Sequence, residues 1–556
     1  MAGQLRVVMA QLNLMVGDIE GNTSLVLENA ERAISEFAAD LIVFPELTLT
    51  AYPPEDLLLR PSLKLRIDRA IDAILQADLP IHIVLGFPES IDGKLFNALT
   101  VLKGGSRLAT YHKQCLPNYQ VFDERRYFHA GAEPCVLNIA GIRLGFTICE
   151  DMWEQIPFKQ ARDAGADLMI NINASPYHIH KLEQRQALLK QRSMEGGFPI
   201  IYVNLVGGQD ELVFDGASMA MSASGECHYL APNFEAGLHL VIVDIQNLDS
   251  QEFAVKRCEI PRQSLAAEQS PIASVYHALV LGVRDYVNKN KFVGTVLGLS
   301  GGIDSALTLA IAVDALGKDR VQAVMMPFEY TSKLSLDAAA DQAQRLDVEY
   351  QVIPIGRIYA AFIEALELEF SGLPVDVSEQ NIQARCRGVI LMAISNKKQL
   401  MVLTTGNKSE CAVGYSTLYG DMAGGFDVLK DVSKTLVYQL ATYRNAEYGS
   451  QGEEVIPQQV IDRSPSAELA PNQLDQDSLP PYEDLDRILE LYIENDYSAD
   501  AIVAEGYAEE VVKKVLRLVD LNEYKRRQSP VGVRLTARGF GRDRRYPITN
   551  AWPLGE

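Results

Sequence analysis

Residues 293 to 308 read VGTVLGLSGGIDSALT, an apolar strand that runs through a glycine-rich turn into the start of a helix. A helix that begins directly after a buried strand presents unpaired N–H groups at the edge of the sheet, and such a turn attracts anions. Gly301 and Gly302 let the backbone close around an oxygen-rich group. The Asp304 carboxylate would repel a phosphate unless a cation lay between them. The stretch therefore predicts a phosphate site with Mg²⁺, although a βα turn without a ligand has the same outline.

Strands and helices alternate on both sides of this turn. Helices are predicted at 272–288, from the turn to 316, and at 334–346, 358–369 and 378–395, with strands at 321–326, 350–355 and 400–404. Alternation at this spacing indicates a parallel, doubly wound sheet, whose ligands bind beyond the carboxyl ends of the strands.

A second carboxylate is expected at the same edge of the sheet. The strand 400–404 is followed by Thr405 and Glu410, so Glu410 and Asp304 could share one Mg²⁺ between phosphates. A Thr-Gly-Asn turn that only caps a helix is the alternative. No histidine follows His277, so the second half must use carboxylates and lysines for its chemistry.

Composition restricts the class of protein. The 556 residues are too many for one core, and a formal charge of −22 disfavours a nucleic-acid or anionic-membrane surface. No apolar run approaches the roughly 20 residues that span a bilayer, and the N-terminus lacks the pattern of a signal peptide, so we expect a cytoplasmic protein. Seven cysteines without Cys-x-x-Cys spacing argue against a disulfide framework and a zinc ribbon.

One segment is basic against this acidic background. Between residues 525 and 545 a single acid, Asp543, accompanies eight basic residues: Lys525, Arg526, Arg527, Arg534, Arg538, Arg542, Arg544 and Arg545. Such a cluster either faces an anion or forms a solvated tail, and composition does not decide between the two.

The first half is also predicted to be α/β. Strands are expected at 5–14, 41–44, 81–87, 95–102, 107–111, 142–149, 167–173 and 200–206, with a helix at 22–39. Glu46, Lys113 and Cys149 each lie where one of these strands ends. A carboxylate, an ammonium and a thiol brought together can form a nucleophilic site, although a cysteine at a strand end is more often a small buried residue.

The stretches FPEL (44–47), YHKQCLPNYQVFDERRYF (111–128) and ICEDMW (148–153) resemble the signature blocks of the nitrilase, or carbon–nitrogen hydrolase, superfamily, in the family's order. The resemblance covers about residues 4 to 245 and implies an αββα sandwich. It makes Glu46 the general base, Lys113 the cation that stabilises the oxyanion, and Cys149 the nucleophile. In glutamine-cleaving members, similar positions hold the substrate: Tyr119, Glu124, Ser175 and Lys181.

The glycine-rich loop resembles that of the N-type ATP pyrophosphatases. With NIQARCR (381–387), TTGNKSE (404–410), YGDMAGG (419–425) and KDVSK (430–434), the whole chain is similar to the family of glutamine-dependent NAD⁺ synthetases. The resemblance implies these ATP-binding residues: Gly298, Leu299, Ser300, Gly301, Gly302, Ile303, Asp304, Ser305, Thr405 and Lys434. It implies these residues for deamido-NAD⁺: Asn381, Arg385, Glu410, Tyr415, Asp421 and Lys525. Asp304 and Glu410 would hold Mg²⁺, and the basic segment would face the two anionic substrates.

These resemblances divide the chain into a glutaminase domain at 1–245, a linker at 246–270 and a synthetase domain at 271–556. They imply that ammonia from glutamine reacts with a deamido-NAD⁺ that ATP has activated. Because bulk water would protonate ammonia to a non-nucleophilic ammonium, we expect an enclosed channel between the sites. We expect a homo-oligomer that binds small molecules and neither nucleic acid nor membrane. Alternatives are another glutamine-dependent amidoligase of the ATP pyrophosphatase class, an amidase with a regulatory nucleotide domain, and a non-catalytic sensor that has kept both pockets.

Overall fold

The computed structural model describes residues 3–249, 254–446, 448, 454–466, 468–470, 475–477 and 479–553. The chain divides into two compact units. The first comprises Met1–Gln209 and Val213–Glu268, and the second comprises Asp210–Leu212 and Gln269–Glu556.

In its described residues, the first unit contains two large sheets, a two-stranded sheet of Val206–Gln209 and Leu212–Asp215, and four α-helices. Its strands are β1 (Gly3–Gln11), β2 (Leu41–Val43), β3 (His82–Ile91), β4 (Lys94–Lys103), β5 (Ser106–His112), β6 (Cys135–Ile139), β7 (Ile142–Ile148), β8 (Leu168–Asn173), β9 (Ile200–Asn204), β10 (Val206–Gln209), β11 (Leu212–Asp215), β12 (Met219–Met221), β13 (Cys227–Leu230), β14 (Gly237–Asp249) and β15 (Ala254–Glu259). Its helices are α1 (Ile19–Phe37), α2 (Pro61–Gln76), α3 (Gln155–Asp163) and α4 (Lys181–Gly196).

The two large sheets pack face to face. One has the strand order β15-β14-β1-β2-β3-β4-β5 and the other β13-β12-β9-β8-β7-β6. Apolar side chains from both sheets fill the space between them, among them Val7, Val84, Ile148 and Ile170. Helices α1 and α2 pack on the outer face of the first sheet, and α3 and α4 on that of the second. This is the αββα sandwich that the resemblance implied.

The second unit is built on one parallel sheet. Its strands are β16 (Gly294–Gly298), β17 (Val321–Met325), β18 (Glu349–Val352), β19 (Leu400–Thr404) and β20 (Phe426–Asp427), in the order β18-β17-β16-β19-β20. Its helices are α5 (Pro271–Lys289), α6 (Ile303–Leu316), α7 (Lys333–Arg345), α8 (Gly356–Ala365), α9 (Val377–Lys398), α10 (Lys408–Val413), α11 (Lys434–Ala446), α12 (Gln458–Ile461), α13 (Tyr482–Leu489), α14 (Ala499–Ala504), α15 (Glu509–Leu521) and α16 (Glu523–Arg526).

Helices cover both faces of this sheet, which confirms the doubly wound fold. Helices α5, α6 and α11 pack together on one face, and α8 and α9 pack with strand side chains such as Val296 and Val402 on the other. Strand β16 has β17 on one side and β19 on the other. The strand order therefore reverses at β16: β17 and β18 lie to one side of it, and β19 and β20 lie to the other. The loop after β16 therefore lies at the topological switch point, where this class of sheet binds its ligands.

Local sequence explains where several helices begin. Asp18 accepts a hydrogen bond from the Gly21 amide at the start of α1 (3.1 Å), and Ser270 caps α5 directly before Pro271. Asp376 and Glu379 form a capping box at the start of α9. These signals lie within a few residues of the predicted helix starts.

Part of the segment that we expected to be a linker is folded. Residues 246–249 belong to β14, and β15 pairs with it antiparallel as an additional edge strand. The segment reads as irregular because it combines polar residues with a turn, whereas an edge strand needs no strong apolar alternation. The sequence also missed β6, β11 to β13, the short β20 and the helices after α11.

Among the described residues, no helix is both long enough and apolar enough to cross a bilayer.

A buried ion pair stabilises the first unit and provides a test of the fold. Arg185 on α4 donates to the Asp215 carboxylate on β11, and both side chains are almost completely buried. Asp215→Asn would leave the Arg185 charge without its counterion, so we expect a loss of about 3–5 kcal/mol in the stability of this unit. Native-state hydrogen exchange of the β8 and β9 amides would measure the loss.

The control is Glu36→Gln, which removes an exposed pair with Arg32 on α1. It should cost little stability, because solvent screens an exposed ion pair on a helix surface. Equal losses from the two variants would contradict the importance of the buried pair.

Candidate active sites

Three of the predicted residues in the first unit meet in one buried cluster. Glu46 lies just beyond β2, and its Oε1 accepts hydrogen bonds from Lys113 Nζ and Asn97 Nδ2, both at 2.7 Å. Its Oε2 accepts from the Ala174 amide at 3.0 Å. Three donors around one buried carboxylate fix its orientation.

Lys113 joins two carboxylates. Its Nζ also donates to Glu124 Oε1 at 2.8 Å, and the Tyr52 hydroxyl donates to the same oxygen at 3.0 Å. Burial alone would lower the pKa of Lys113, but the charges of Glu124 and Glu46 outweigh it and hold that pKa well above its ordinary value. Lys113 therefore remains an ammonium group. Burial raises the pKa of Glu124, with Lys113 opposing the shift.

Cys149 is positioned by a strained turn. It follows β7 directly, opens the 3₁₀ turn Cys149–Met152 and has a φ of 44°, which is uncommon for a residue with a side chain. Burial raises the pKa of its thiol, as does the charge of Glu46, while Lys113 opposes this. The Cys149 thiol is thus neutral at rest, and as a nucleophile it would need a base to take its proton.

Asp151 ties this turn to the strand that carries Lys113. Its Oδ1 accepts from the amides of Gln114 and Cys115, at 3.0 and 2.8 Å. Its Oδ2 accepts from the Ile148 amide at 3.1 Å and from the Tyr111 hydroxyl at 2.8 Å. One buried carboxylate therefore fixes the nucleophile's turn relative to the end of β5.

Two of the four residues predicted to hold glutamine, Tyr119 and Lys181, lie near Glu150, the neighbour of Cys149. The Tyr119 hydroxyl donates to Glu150 Oε1 at 2.9 Å, and the charge of Lys181 lowers the pKa of Glu150, although burial raises it overall. Lys181 Nζ also lies 4.3 Å from the centroid of the Trp153 ring. The Ser175 amide donates to Asn204 Oδ1 at 2.9 Å, which fixes the loop after β8.

Sequence reasoning missed several members of this cluster. Asn97, Tyr52 and Asp151 are polar residues buried among apolar ones, and Glu150 and Asp151 directly follow the nucleophile. A polar residue inside an apolar strand, as Asn97 is in β4, was a signal that the sequence contained. The partners of Tyr52 are distant in sequence and were not predictable from it.

In the second unit, the glycine-rich loop forms an open cradle. Helix α6 begins after Gly302. Glycine has no side chain that could cap the helix, so the first amides of α6 can donate to a ligand. The Ser305 hydroxyl accepts from the Ser300 amide at 3.2 Å, and the Ser300 hydroxyl accepts from the Gly302 amide at 3.2 Å. Gly301 has a φ of 80°, and a Cβ there would lie 2.3 Å from the Ser335 carbonyl oxygen.

A lysine again lies between two carboxylates. Lys434 Nζ donates to Asp304 Oδ2 at 2.6 Å and to Glu410 Oε1 at 3.1 Å. Asn407 Nδ2, which the sequence argument did not assign, donates to Asp304 Oδ1 at 2.8 Å. Burial raises the pKa of Glu410, with Lys434 opposing the shift. The two predicted metal ligands are thus neighbours at the mouth of the phosphate loop.

These donors fit Mg²⁺ when phosphate is present. The described residues contain no group of three or more His, Cys, Asp or Glu side chains arranged to hold a metal ion by themselves. Mg²⁺ is commonly bound by one or two carboxylates together with substrate phosphates and water. Asp304 and Glu410 supply that number, next to a loop suited to phosphate.

These groups line one cleft of about 570 Å³, within the usual range for small-molecule sites. All ten predicted ATP-binding residues contribute to its wall. So do five of the six predicted for deamido-NAD⁺: Asn381, Glu410, Tyr415, Asp421 and Lys525. The sixth, Arg385, is exposed and donates to the Leu418 carbonyl oxygen at 3.2 Å. Its predicted role has no support from the position of its side chain.

The basic segment does not face the cleft as a whole. Lys525 lines it and donates to the carbonyl oxygens of Gly414 and Ser416, at 2.7 and 2.9 Å. Most of the arginines instead bond to carboxylates of the same unit: Arg526, Arg527 and Arg544 to Glu523, Arg534 to Asp543, and Arg538 to Asp496. The expectation that this segment meets the anionic substrates is therefore wrong for these arginines, because acids that are scattered in sequence neutralise them.

Comparison with known proteins agrees with this geometry. The carbon–nitrogen hydrolase family model matches residues 6–254, and the NAD synthase family model matches residues 275–529. The glutamine-dependent NAD(+) synthetase of Acinetobacter baylyi is 46% identical over 548 residues, which are 98% of each chain. That of Xanthomonas campestris pv. campestris is 47% identical over 554 residues, 99% of this chain and 98% of the relative. The structure of glutamine-dependent NAD+ synthetase from Acinetobacter baumannii in complex with ADP is 44% identical, covers 100% of both chains and has a TM-score of 0.78.

The fold and the two sites define a ligase in which a nitrilase-like hydrolase unit is joined to an NAD synthase unit. The chain belongs to the family of glutamine-dependent NAD(+) synthetases.

The Glu46 carboxylate can be tested as both a base and a source of negative charge. In Glu46→Gln, we expect the pKa of the Cys149 thiol to fall, because the carboxylate that raises it is gone and Lys113 remains. The pH midpoint of Cys149 alkylation should therefore move down. Glutamine hydrolysis should nevertheless fall roughly 10²–10⁴-fold, since the base is lost.

Glu154→Gln, which changes an exposed carboxylate near the same turn, is the control and should alter neither measurement. Unimpaired hydrolysis by Glu46→Gln would refute the role of Glu46 as a base.

The conformation of Gly301 gives a second test. Gly301→Ala should weaken ATP binding at least about tenfold, because the left-handed conformation costs about 1–2 kcal/mol and the added carbon meets backbone. Gly302→Ala is the matched control, since its φ is −91° and the nearest atom is the Ser300 hydroxyl at 3.3 Å. Calorimetric titration with ATP would compare them, and equal affinities would contradict the prediction.

Proposed function

We propose that this chain makes NAD⁺ from deamido-NAD⁺, with glutamine as the nitrogen donor and ATP as the activating substrate. The observation that carries the proposal is that one chain holds two complete and different sites. The first unit has a buried base, ammonium and thiol at Glu46, Lys113 and Cys149. The second has a phosphate loop with Asp304 and Glu410 beside it.

In the first unit, Glu46 takes the proton of the Cys149 thiol as sulfur attacks the side-chain amide of glutamine. A C–S bond forms, and Lys113 stabilises the charge that develops on the amide oxygen. Glu46 then returns the proton to the nitrogen, the C–N bond breaks and ammonia leaves. Water, deprotonated by Glu46, then attacks the thioester carbon, the C–S bond breaks to release glutamate, and the Cys149 thiolate takes the proton back from Glu46.

In the second unit, the nicotinate carboxylate of deamido-NAD⁺ attacks the α-phosphorus of ATP, and pyrophosphate leaves. Activation is needed because a carboxylate resists nucleophilic attack, whereas AMP is a good leaving group. Ammonia then displaces AMP to give NAD⁺. The amides after Gly302 and the Lys434 ammonium would hold the phosphates. Asp304 and Glu410 would hold Mg²⁺, whose chemistry is to neutralise charge on the phosphate oxygens.

Two findings support ATP as the substrate of the cleft. All predicted ATP-binding residues line it, and the similar Acinetobacter baumannii enzyme was solved with ADP. An amidase with a regulatory nucleotide domain would hydrolyse glutamine without consuming ATP. A non-catalytic sensor would do neither. The cytoplasmic location, the homo-oligomeric state and the absence of nucleic-acid or membrane partners stay predictions.

The decisive experiment follows nitrogen through both sites. The purified chain is given deamido-NAD⁺, ATP, Mg²⁺ and glutamine labelled with ¹⁵N at the side-chain amide, and the products are weighed by mass spectrometry. We expect one labelled nitrogen in each NAD⁺ and one AMP for each NAD⁺. Glutamine and ATP consumption with no label in NAD⁺ would overturn the proposal.

Cys149→Ala separates the two sites. This variant should lose glutamine hydrolysis but still form NAD⁺ when ammonium chloride replaces glutamine, because the synthetase cleft is intact. Full glutamine-dependent activity in the variant would exclude Cys149 as the nucleophile.

A further inference from the structure

Asp427 is one of the carboxylates that line the cleft without an assigned role. Asp427 ends the short strand β20, beside β19, and is 3% exposed. Its Oδ1 is buried and has no hydrogen-bond partner among the described residues. A buried carboxylate oxygen without a donor is costly, so its retention needs an explanation.

The groups around Asp427 offset little of the cost of burying its carboxylate. Burial raises the pKa of its carboxyl to about 7, the charge of Lys430 and the Thr404 hydroxyl lower it, and the charge of Asp421 raises it. Lys430 directs its ammonium to the Pro530 carbonyl oxygen instead of to this carboxylate. The other titratable neighbour is the buried Cys411 thiol, whose own pKa burial and Asp427 raise.

Asp431, four residues further on, shows what a structural carboxylate looks like in the same region. Its oxygens accept from the amides of Leu535 and Thr536, at 2.8 and 2.7 Å, and from Lys408 Nζ at 2.8 Å. Burial raises the pKa of Asp431, but Lys408 and the amides outweigh it and hold that pKa below the ordinary value. Asp427 lacks such a set of donors although it is equally buried.

A small hydrogen-bond donor without negative charge would satisfy this oxygen. The phosphates of ATP and the carboxylate of the nicotinate ring are anions, which Asp427 would repel. Of the reactants in the proposed function, on which this inference rests, ammonia and ammonium carry donors, have no negative charge and need little space.

We propose that Asp427 binds the incoming ammonia in the synthetase cleft and acts as the general base of amidation. As the nitrogen attacks the acyl carbon of the adenylate, a C–N bond forms and the nitrogen becomes positively charged. Asp427 takes one proton from it, and the C–O bond to AMP breaks with its electron pair leaving on AMP. The products are NAD⁺, AMP and a protonated Asp427, which then releases its proton to solvent.

The test uses Asp427→Asn in the full chain, with ammonium chloride as the nitrogen source. Adenylation is measured as deamido-NAD⁺-dependent exchange of pyrophosphate into ATP, and amidation as NAD⁺ and AMP formed. We expect exchange at the wild-type rate, a roughly 100-fold lower kcat/KM for ammonium, and more than one AMP for each NAD⁺ because water then consumes the adenylate. In the wild type, the amidation rate divided by the concentration of unprotonated ammonia should fall as the pH drops through about 7, because Asp427 becomes protonated. The variant should not show this fall in rate.

Two further variants separate this role from a structural one. Asp427→Glu should partly restore amidation, because it returns a carboxylate. Asp431→Asn should lower thermal stability but keep one AMP for each NAD⁺ in the folded protein.

Three outcomes would count against the proposal in distinct ways. An unchanged kcat/KM for ammonium and AMP ratio in Asp427→Asn would overturn it. A parallel loss of pyrophosphate exchange would show that Asp427 serves ATP or the dinucleotide, which also overturns it. Absence of exchange in the wild-type protein would instead refute the proposed function itself.

Discussion

Each unit depends on a lysine ammonium held between two carboxylates. In the first, Lys113 lies between Glu46 and Glu124, and in the second Lys434 lies between Asp304 and Glu410. Two buried carboxylates would otherwise repel each other and bind protons. The shared ammonium holds each pair of carboxylates together and offsets part of their negative charge. Negative charge suits the proposed role of Glu46 as a base in the first unit and the proposed binding of a cation by Asp304 and Glu410 in the second.

The positions of these groups follow from the sheets. Glu46, Lys113 and Cys149 come from three strand ends of the first unit, and the hydrogen bonds of Asp151 hold two of those ends together. In the second unit, β16 and β19 are neighbours, so the loops after them bring Asp304 and Glu410 to one edge. Side chains from distant parts of the sequence can be placed to within a few tenths of an ångström because rigid strands carry them.

Some charged residues of this chain form ion pairs within the fold, although the sequence suggests that they bind a ligand. The arginines of the basic segment pair with Glu523, Asp543 and Asp496, so their number says little about an anionic ligand. Asp431 and Asp427 show the converse: both are buried carboxylates a short distance apart in the chain, yet one is fully bonded and the other has an oxygen without a donor. The two residues differ in their hydrogen bonds and not in any feature of the local sequence.

The sequence by itself determined the alternation of strands and helices, the doubly wound class and the residues at the strand ends, because apolar periodicity and glycine turns are local properties. The αββα class followed from the resemblance of three motifs to the nitrilase superfamily. The sequence also carried the order of the Glu46, Lys113 and Cys149 blocks and the phosphate loop at Gly301. Only the tertiary structure decided which polar groups meet. The bonds of Asn97 and Asn407 to their carboxylates, the edge strand β15 in the expected linker, and the exposure of Arg385 all depend on packing between segments far apart in the chain, which no local pattern encodes.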